Sequence, residues 1–130
     1  MHFSLISFFV EDLGAMVRFY QKMFQLKTDW DGISPYAEFK HQGIRFAFYE
    51  RSGLPEFLGI NPTFPSGING TFELAVDLNH PDDVNREYHR CVDAGAQSIR
   101  PPFDAEWGQR AAVIADPEGN MIEFGAWLKH

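Results

Sequence analysis

The sequence Arg110-Ala-Ala-Val-Ile-Ala-Asp-Pro-Glu-Gly-Asn-Met-Ile-Glu-Phe-Gly125 predicts two β-strands joined by a tight turn. Residues 112–115 are small, apolar and partly β-branched, and a strand pattern resumes over residues 121–127. The intervening residues suit a turn, because Pro117 fixes φ and Gly119 tolerates a positive φ. The chain therefore doubles back within this stretch.

One carboxylate, Glu123, interrupts the second of these strands. Side chains alternate along a strand, so Glu123 points away from the face that carries Ile122 and Phe124. An acid on the back of a hydrophobic strand is either solvated or lines a cavity. The rest of the sequence decides between these alternatives.

Each half of the chain also predicts one amphipathic helix. The first begins at Asp12, a good N-cap residue, and its apolar residues recur at helical spacing. The second begins at His80-Pro81, with proline at the first helical position, and ends at Gly95. The apolar residues of the two helices are Met16, Phe19, Tyr20, Met23 and Phe24, and then Val84, Tyr88, Cys91 and Val92.

The remaining strands complete a doubled β-α-β-β-β pattern. The predicted strands are residues 3–10, 27–30, 36–41, 44–50, 71–78, 98–100, 111–115 and 121–127. We expect one α+β domain over residues 1–130 with two mixed sheets, each covered by a helix. Its first half covers about residues 1–51, a Pro- and Gly-rich linker about 52–70, with one helical turn near 56–58, and the second half about 71–130.

Composition narrows the class of protein. A chain of 130 residues with 45% hydrophobic and 15% aromatic residues can form a packed core. Its net charge of −7 argues against binding to nucleic acid or to an anionic membrane surface. The single Cys91 cannot form an internal disulfide, and no apolar run could span a bilayer. We therefore expect a cytoplasmic protein, in which Cys91 is a buried, unreactive thiol.

The doubled unit, the Asp12-Leu13 helix start before Phe19-Tyr20, and the final turn and strand resemble one family. They are similar to the glyoxalase / bleomycin-resistance / extradiol-dioxygenase superfamily, also called vicinal oxygen chelate. The most specific part of this resemblance is residues 116–123. The resemblance implies an incomplete barrel of mixed sheet with the helices outside. It also implies a central cavity for a small-molecule ligand, and a homodimer.

Metal-dependent members of that family place ligands at four equivalent strand positions. In this chain the corresponding residues are Leu5, Thr71, Ala47 (or Phe46 if the register slips by one) and Glu123. A catalytic divalent metal usually needs three protein ligands. One carboxylate does not supply them, so the sequence predicts no metal and no other cofactor.

If Glu123 faces the cavity, strand alternation and the resemblance together give a set of candidate ligand contacts. We expect Arg45 to share this space with Glu73 and Glu123 and to bridge one or both, since buried charges persist when they are paired. Residues 101–110 are predicted to form a loop at the cavity mouth. The candidate residues are Ser7, Phe9, Trp30, Arg45, Tyr49, Thr71, Glu73, Trp107, Arg110 and Glu123.

Three functions remain open from the sequence. The first is a metal-free protein that binds and sequesters a cationic aromatic drug or metabolite. The second is a lyase, isomerase or dioxygenase with a non-standard site, in which Glu123 or Glu73 acts as general base. The third is a dimerising scaffold whose cavity is filled by its own side chains. A purely structural role also remains open for three of the candidate residues. In that case Glu123 pairs with Arg45 or water, Trp107 closes the cavity mouth, and Arg110 forms a surface salt bridge.

Overall fold

The computed structural model describes residues 1–129, which form two compact units, Met1–Phe64 and residues 65–129. The first unit contains β1 (Leu5–Val10), α1 (Leu13–Phe24), β2 (Lys27–Thr28), β3 (Tyr36–Lys40), β4 (Arg45–Glu50), a 3-10 turn (Arg51–Gly53) and α2 (Leu54–Leu58). The second contains β5 (Asn69–Asp77), α3 (Pro81–Asp93), β6 (Gln97–Asp104), β7 (Gln109–Ala115) and β8 (Asn120–Trp127). The boundary between the units lies within the predicted linker.

Each unit contains one four-stranded mixed sheet with the same strand order. The orders are β1-β4-β3-β2 and β5-β8-β7-β6, and the first and last strands of each unit pair in parallel. The other neighbouring strands pair antiparallel, and neither sheet is closed into a barrel. The predicted α+β fold with a doubled β-α-β-β-β pattern is confirmed.

Helix α1 begins and packs as its sequence predicts. The backbone N–H of Ala15 donates to Asp12 Oδ1 at 3.0 Å, which satisfies one of the free donors of the first turn. On the buried face, the Tyr20 ring lies 5.2 Å from the Phe48 ring and 5.5 Å from the Phe46 ring. Much of the phenylalanine content of the first unit therefore forms the core beneath α1.

Helix α3 packs a narrower apolar stripe on the second sheet. Its buried residues are Val84, Tyr88 and Cys91, and Gly95 follows the helix with φ of 113°. Burial raises the pKa of the Cys91 thiol, so this side chain stays protonated and a poor nucleophile. Among residues 1–129, no helix combines the length and the apolar character needed to cross a membrane.

Three segments differ from the sequence prediction, and one of them is β2, which ends at Thr28 and not at residue 30. The linker is shorter than residues 52–70, because helical structure covers Arg51–Gly53 and Leu54–Leu58 and β5 already begins at Asn69. Pro55 does not prevent this helix, since proline is tolerated in a first helical turn. Residues 101–110 are not one loop, because 101–104 belong to β6 and 109–110 to β7, with a short turn between them. Strand β6 accepts two prolines because it lies at the edge of its sheet.

The turn between β7 and β8 fixes the position of β5. Asp116 Oδ1 accepts hydrogen bonds from the backbone N–H groups of Glu118 and Asn120, at 2.9 and 3.0 Å. The carbonyl oxygen of Gly119 accepts a hydrogen bond from the backbone N–H of Asn69 at 2.8 Å. The Asn69 side chain also donates to Asn120 Oδ1 at 3.1 Å within the core. These bonds hold the start of β5 beside β8.

Candidate functional site

Three acidic side chains converge on one face of the second sheet. In the β5–β8 pairing, Ala75 lies opposite Glu123, with Glu73 and Asp77 two residues to either side of Ala75. Diagonal neighbours on paired strands are within reach of long side chains. We call Glu73, Asp77 and Glu123 the acidic face. Its position confirms that Glu73 and Glu123 share one side of the sheet.

The carboxyl groups of Glu73 and Glu123 lie close enough to interact, and two carboxyl groups can form a hydrogen bond only when one of them carries a proton. The pKa of Glu123 is raised above its ordinary value, chiefly by burial and then by the hydrogen bond to Glu73. The negative charges of Glu73 and Asp77 raise it further. The half-buried Glu123 is thus poised either to hold a proton or to receive a cation in its place.

This raised pKa predicts how stability depends on pH. The folded protein binds the Glu123 proton more tightly than the unfolded chain, whose pKa lies near 4.5. The contribution of Glu123 to the free energy of unfolding is therefore greatest below pH 4.5, falls as pH rises towards the folded pKa, and is constant above it. Glu123→Gln removes this loss.

We expect Glu123→Gln to be more stable than the wild type at neutral pH by about 0.5 kcal/mol, since the charges are partly exposed. Urea unfolding at several pH values measures the difference, which should shrink towards the acid end. A variant less stable than the wild type at neutral pH would contradict the assignment.

An aromatic surface continues from the acidic face along β8. Gly125 lies two residues beyond Glu123, and the Gln109 amide group lies over the space its missing side chain would fill. Trp127, opposite Gln109 in the register, is 54% exposed. The Trp107 indole N–H donates to Gln109 Oε1 at 2.8 Å, and its side chain is 58% exposed. One surface therefore combines carboxylates with two accessible indole rings.

Arg110 lies elsewhere. It is opposite Ala126 in the register, so it points to the face that does not carry Glu123. Its Nε donates to Asp104 Oδ1 at 2.9 Å across the β6–β7 hairpin. This is the surface salt bridge that the sequence analysis kept as the plainer alternative, and Arg110 is not paired with Glu123.

Arg45 has a partner that the sequence analysis missed. Its Nε lies 3.9 Å from Glu38 Oε2, and Tyr36 O–H donates to Glu38 Oε1 at 2.5 Å. Burial, and then this hydrogen bond, raise the pKa of Tyr36. The predicted bridge from Arg45 to Glu73 or Glu123 stays a prediction. The available signal was that Glu38 stands alone among apolar neighbours, as Glu123 does.

Three other candidates of the first unit, Ser7, Phe9 and Tyr49, lie on the same face of its sheet as Glu38. Ser7 lies opposite Ala47, and Phe9 lies opposite Tyr49. Within residues 1–129, Ser7 Oγ is buried and has no hydrogen-bond partner. Phe9 is 43% exposed, and the Tyr49 ring lies 6.4 Å from that of Phe57. Their roles in ligand binding, and that of the exposed Thr71 in the second unit, stay predictions.

The residues do not fit a metal site of the family type. Within the described part of the chain, no group of three or more His, Cys, Asp or Glu side chains could hold a metal ion. At the four family positions, Leu5, Ala47 and Thr71 offer no imidazole or carboxylate ligand. Glu123 remains, and Glu73 and Asp77 act on it electrostatically.

Comparisons with known proteins agree with this architecture. The family model described as Glyoxalase/Bleomycin resistance protein/Dioxygenase superfamily matches residues 2–124. The uncharacterised protein Mb0911c of Mycobacterium bovis is 27% identical over 119 residues, covering 89% of this chain and 77% of that protein. A glyoxalase/bleomycin resistance protein/dioxygenase from Nocardioides is 26% identical with a TM-score of 0.84, covering 99% of this chain and 85% of the other. A family enzyme from Burkholderia phytofirmans PsJN is 25% identical with a TM-score of 0.83, covering 98% and 100%. The chain belongs to the glyoxalase/bleomycin resistance protein/dioxygenase superfamily.

Proposed function

We propose that this protein binds a small, cationic, partly planar molecule on the second unit, without a metal of the family type. The observation that carries the proposal is the carboxyl pair of Glu73 and Glu123, with Asp77 beside it. Two neighbouring carboxyl groups cannot both be ionised without a cost in electrostatic energy. A ligand cation would replace the shared proton and relieve the repulsion.

The surroundings of the acidic face favour an aromatic ligand. Trp127 lies four residues beyond Glu123 on the same face of β8, about 13 Å along an extended strand. Gly125, between them, leaves room for the Gln109 amide group, which lies over it. A planar group that reaches from the carboxylates to the indole rings would gain both charge pairing and ring contact.

The proposal also covers the cellular location, the oligomeric state and the biological role of the protein. We infer a cytoplasmic homodimer that sequesters a drug or metabolite, as the bleomycin-resistance proteins of the family do. The single buried Cys91 and the net charge of −7 are compatible with the cytoplasm. Exposed apolar residues near α2, including Phe57 and Ile60, offer surface for subunit contact.

The decisive experiment compares three aromatic probes of nearly equal shape and different charge. Benzamidine is cationic, benzamide is neutral and benzoate is anionic. We expect benzamidine to shift the indole N–H signals of Trp107 and Trp127 in a ¹H–¹⁵N NMR spectrum, in a saturable manner. Benzoate should not shift them. Equal binding of benzamidine and benzoate would refute the cation site.

The metal-free part of the proposal has its own measurement. Elemental analysis before and after incubation with Ni, Mn, Fe, Co and Zn salts, followed by desalting, should find no stoichiometric metal. Stoichiometric metal retained through desalting would contradict it and would favour a metal-dependent enzyme.

A second function is favoured by the same raised pKa. A carboxylate with an elevated pKa is a better general base near neutral pH, as expected for a lyase or isomerase. Exchange of α-hydrogens of small carbonyl compounds with solvent deuterium tests this function. Exchange that is absent in the wild type, or equal in Glu123→Gln, would count against it.

Trp107→Ala should weaken benzamidine binding by about 1 kcal/mol, the lower end of the range for aromatic stacking, because the ring is largely exposed. Isothermal titration calorimetry measures the change. Phe3→Ala, which removes a highly exposed aromatic ring from the first unit, is the control. If Trp107→Ala binds benzamidine like the wild type, the ring of Trp107 packs against the hairpin and does not contact the ligand.

A further inference from the structure

A second candidate site lies in the first unit, along the outer edge of β3. An open groove there has a volume of about 410 Å³, within the range of small-molecule sites. It is lined by Asp29, Trp30, Tyr36, Ala37, Glu38, Phe39, Lys40 and His41. We propose that this edge groove binds a small, planar, uncharged ligand that carries a carboxamide or similar amide edge.

The groove exists because β2 is shorter than β3. Strand β2 pairs only with Phe39 and Lys40 and ends at Thr28. Beyond that point the Thr28 hydroxyl donates to the Glu38 carbonyl oxygen at 2.7 Å, which shows that this carbonyl points away from β4. Alternate residues of a strand direct their backbone groups to the same side, so the Tyr36 carbonyl also faces the groove. A ligand N–H can donate to it.

Trp30 forms a fixed aromatic wall. Its indole N–H donates to the Ser34 carbonyl oxygen at 2.8 Å, and its backbone N–H donates to Thr28 Oγ1 at 3.1 Å. The turn that follows Trp30 is stabilised by its own hydrogen bonds, because Asp31 Oδ1 accepts hydrogen bonds from the backbone N–H groups of Ile33 and Ser34. The indole ring is therefore held in position before a ligand arrives, which lowers the entropic cost of binding.

The charges around the groove balance. Lys40 Nζ lies 3.3 Å from Asp29 Oδ2, and Arg45 is the cation nearest Glu38. The distance of 3.9 Å between Arg45 Nε and Glu38 Oε2 is too long for a hydrogen bond, so Oε2 retains the capacity to accept one. A ligand amide can donate to Glu38 and accept from Lys40. A charged ligand would be attracted by two of these four side chains and repelled by the other two, so the groove favours an uncharged ligand.

The same three probes test the edge groove, read through the three Trp indole N–H signals in a ¹H–¹⁵N NMR spectrum. Single Trp→Phe variants assign these signals. We expect benzamide to shift the Trp30 signal in a saturable titration, with affinity at least about 5-fold above that of benzoate or benzamidine at this site. No saturable benzamide shift at Trp30, or equal affinity for all three probes, would overturn the proposal.

Charge variants give a sharper test, because they should reorder the probes. Glu38→Gln leaves the groove with a net positive balance, so benzoate should become the strongest ligand at Trp30. Lys40→Gln leaves it net negative, so benzamidine should become the strongest. An unchanged order in both variants would overturn the charge argument, and Lys40, with 63% of its side chain exposed, can be exchanged without disturbing the core.

Glu123→Gln serves as the control and should leave the Trp30 titrations unchanged. The proposal is thereby separable from the cation site of the second unit. Failure of that site would appear as an absent benzamidine response at Trp107 and Trp127, whereas failure of the edge groove would appear at Trp30 alone.

Discussion

Exchanging Glu73 and Glu123 together for Gln is expected to weaken benzamidine binding about 30-fold, or about 2 kcal/mol. Each carboxylate contributes about 1 kcal/mol to a charge-assisted contact at a partly exposed site. The exchange keeps the size and most of the hydrogen-bonding capacity of both side chains. Isothermal titration calorimetry with benzamidine measures the loss, and benzamide titrated into the same variant shows whether the effect depends on the ligand charge.

The pH dependence adds an independent check. Because the pKa of Glu123 is raised, the wild type should bind benzamidine more tightly as pH rises and Glu123 loses its proton. The double variant should show no such rise. The double variant Glu56→Gln/Glu106→Gln, which removes the same number of charges at two exposed positions, is the matched control. A double variant with wild-type affinity would remove the acidic face from ligand binding.

Gly119→Ala is expected to destabilise the protein by about 3 kcal/mol or more, the largest effect of a single substitution that we predict. A methyl group there would overlap the Gly67 carbonyl oxygen, and neither atom can rotate away, because the carbonyl belongs to the backbone and the backbone fixes the position of the methyl carbon. The φ of 87° adds the usual strain of a left-handed residue. Separating these segments would also break the hydrogen bond from Asn69 to Gly119.

Gly43→Ala separates the two causes. Gly43 has the same φ of 87°, but nothing lies within 4 Å of the position of an added methyl group. It should cost only about 1 kcal/mol, from backbone strain alone. Urea unfolding of both variants measures the difference. Equal losses would show that the Gly67–Gly119 contact does not hold β5 against the turn.

The elements with local signals were predictable. The Asp12 cap, the proline at the start of α3 and the turn chemistry of residues 116–120 each act through a few neighbouring residues. The side of β8 that carries Glu123 followed from simple alternation, and its neighbour Glu73 followed from the same rule applied to β5.

The features that depend on register and on side-chain choice were not predictable. Arg45 pairs with Glu38, which lies on β3 opposite Ala47. Ala47 is two residues beyond Arg45 on β4, so the pair is diagonal and depends on the register of the two strands. Residues 101–104 belong to a strand, because an edge position tolerates prolines that a central strand would exclude. The edge groove arises because β2 ends at Thr28, after which a turn begins, and no periodicity marks that end.

The strand order has a consequence for how each unit forms during synthesis. The last strand of a unit, β4 or β8, lies in its sheet next to the first, between β1 and β3 or between β5 and β7. No nascent chain can complete the sheet until that strand has left the ribosome, and the earlier strands wait with unpaired edges. The first unit can close while the second is still being translated. A pause in elongation before residue 120 should therefore expose β5 and β7 to wrong partners, and leave residues 1–64 folded.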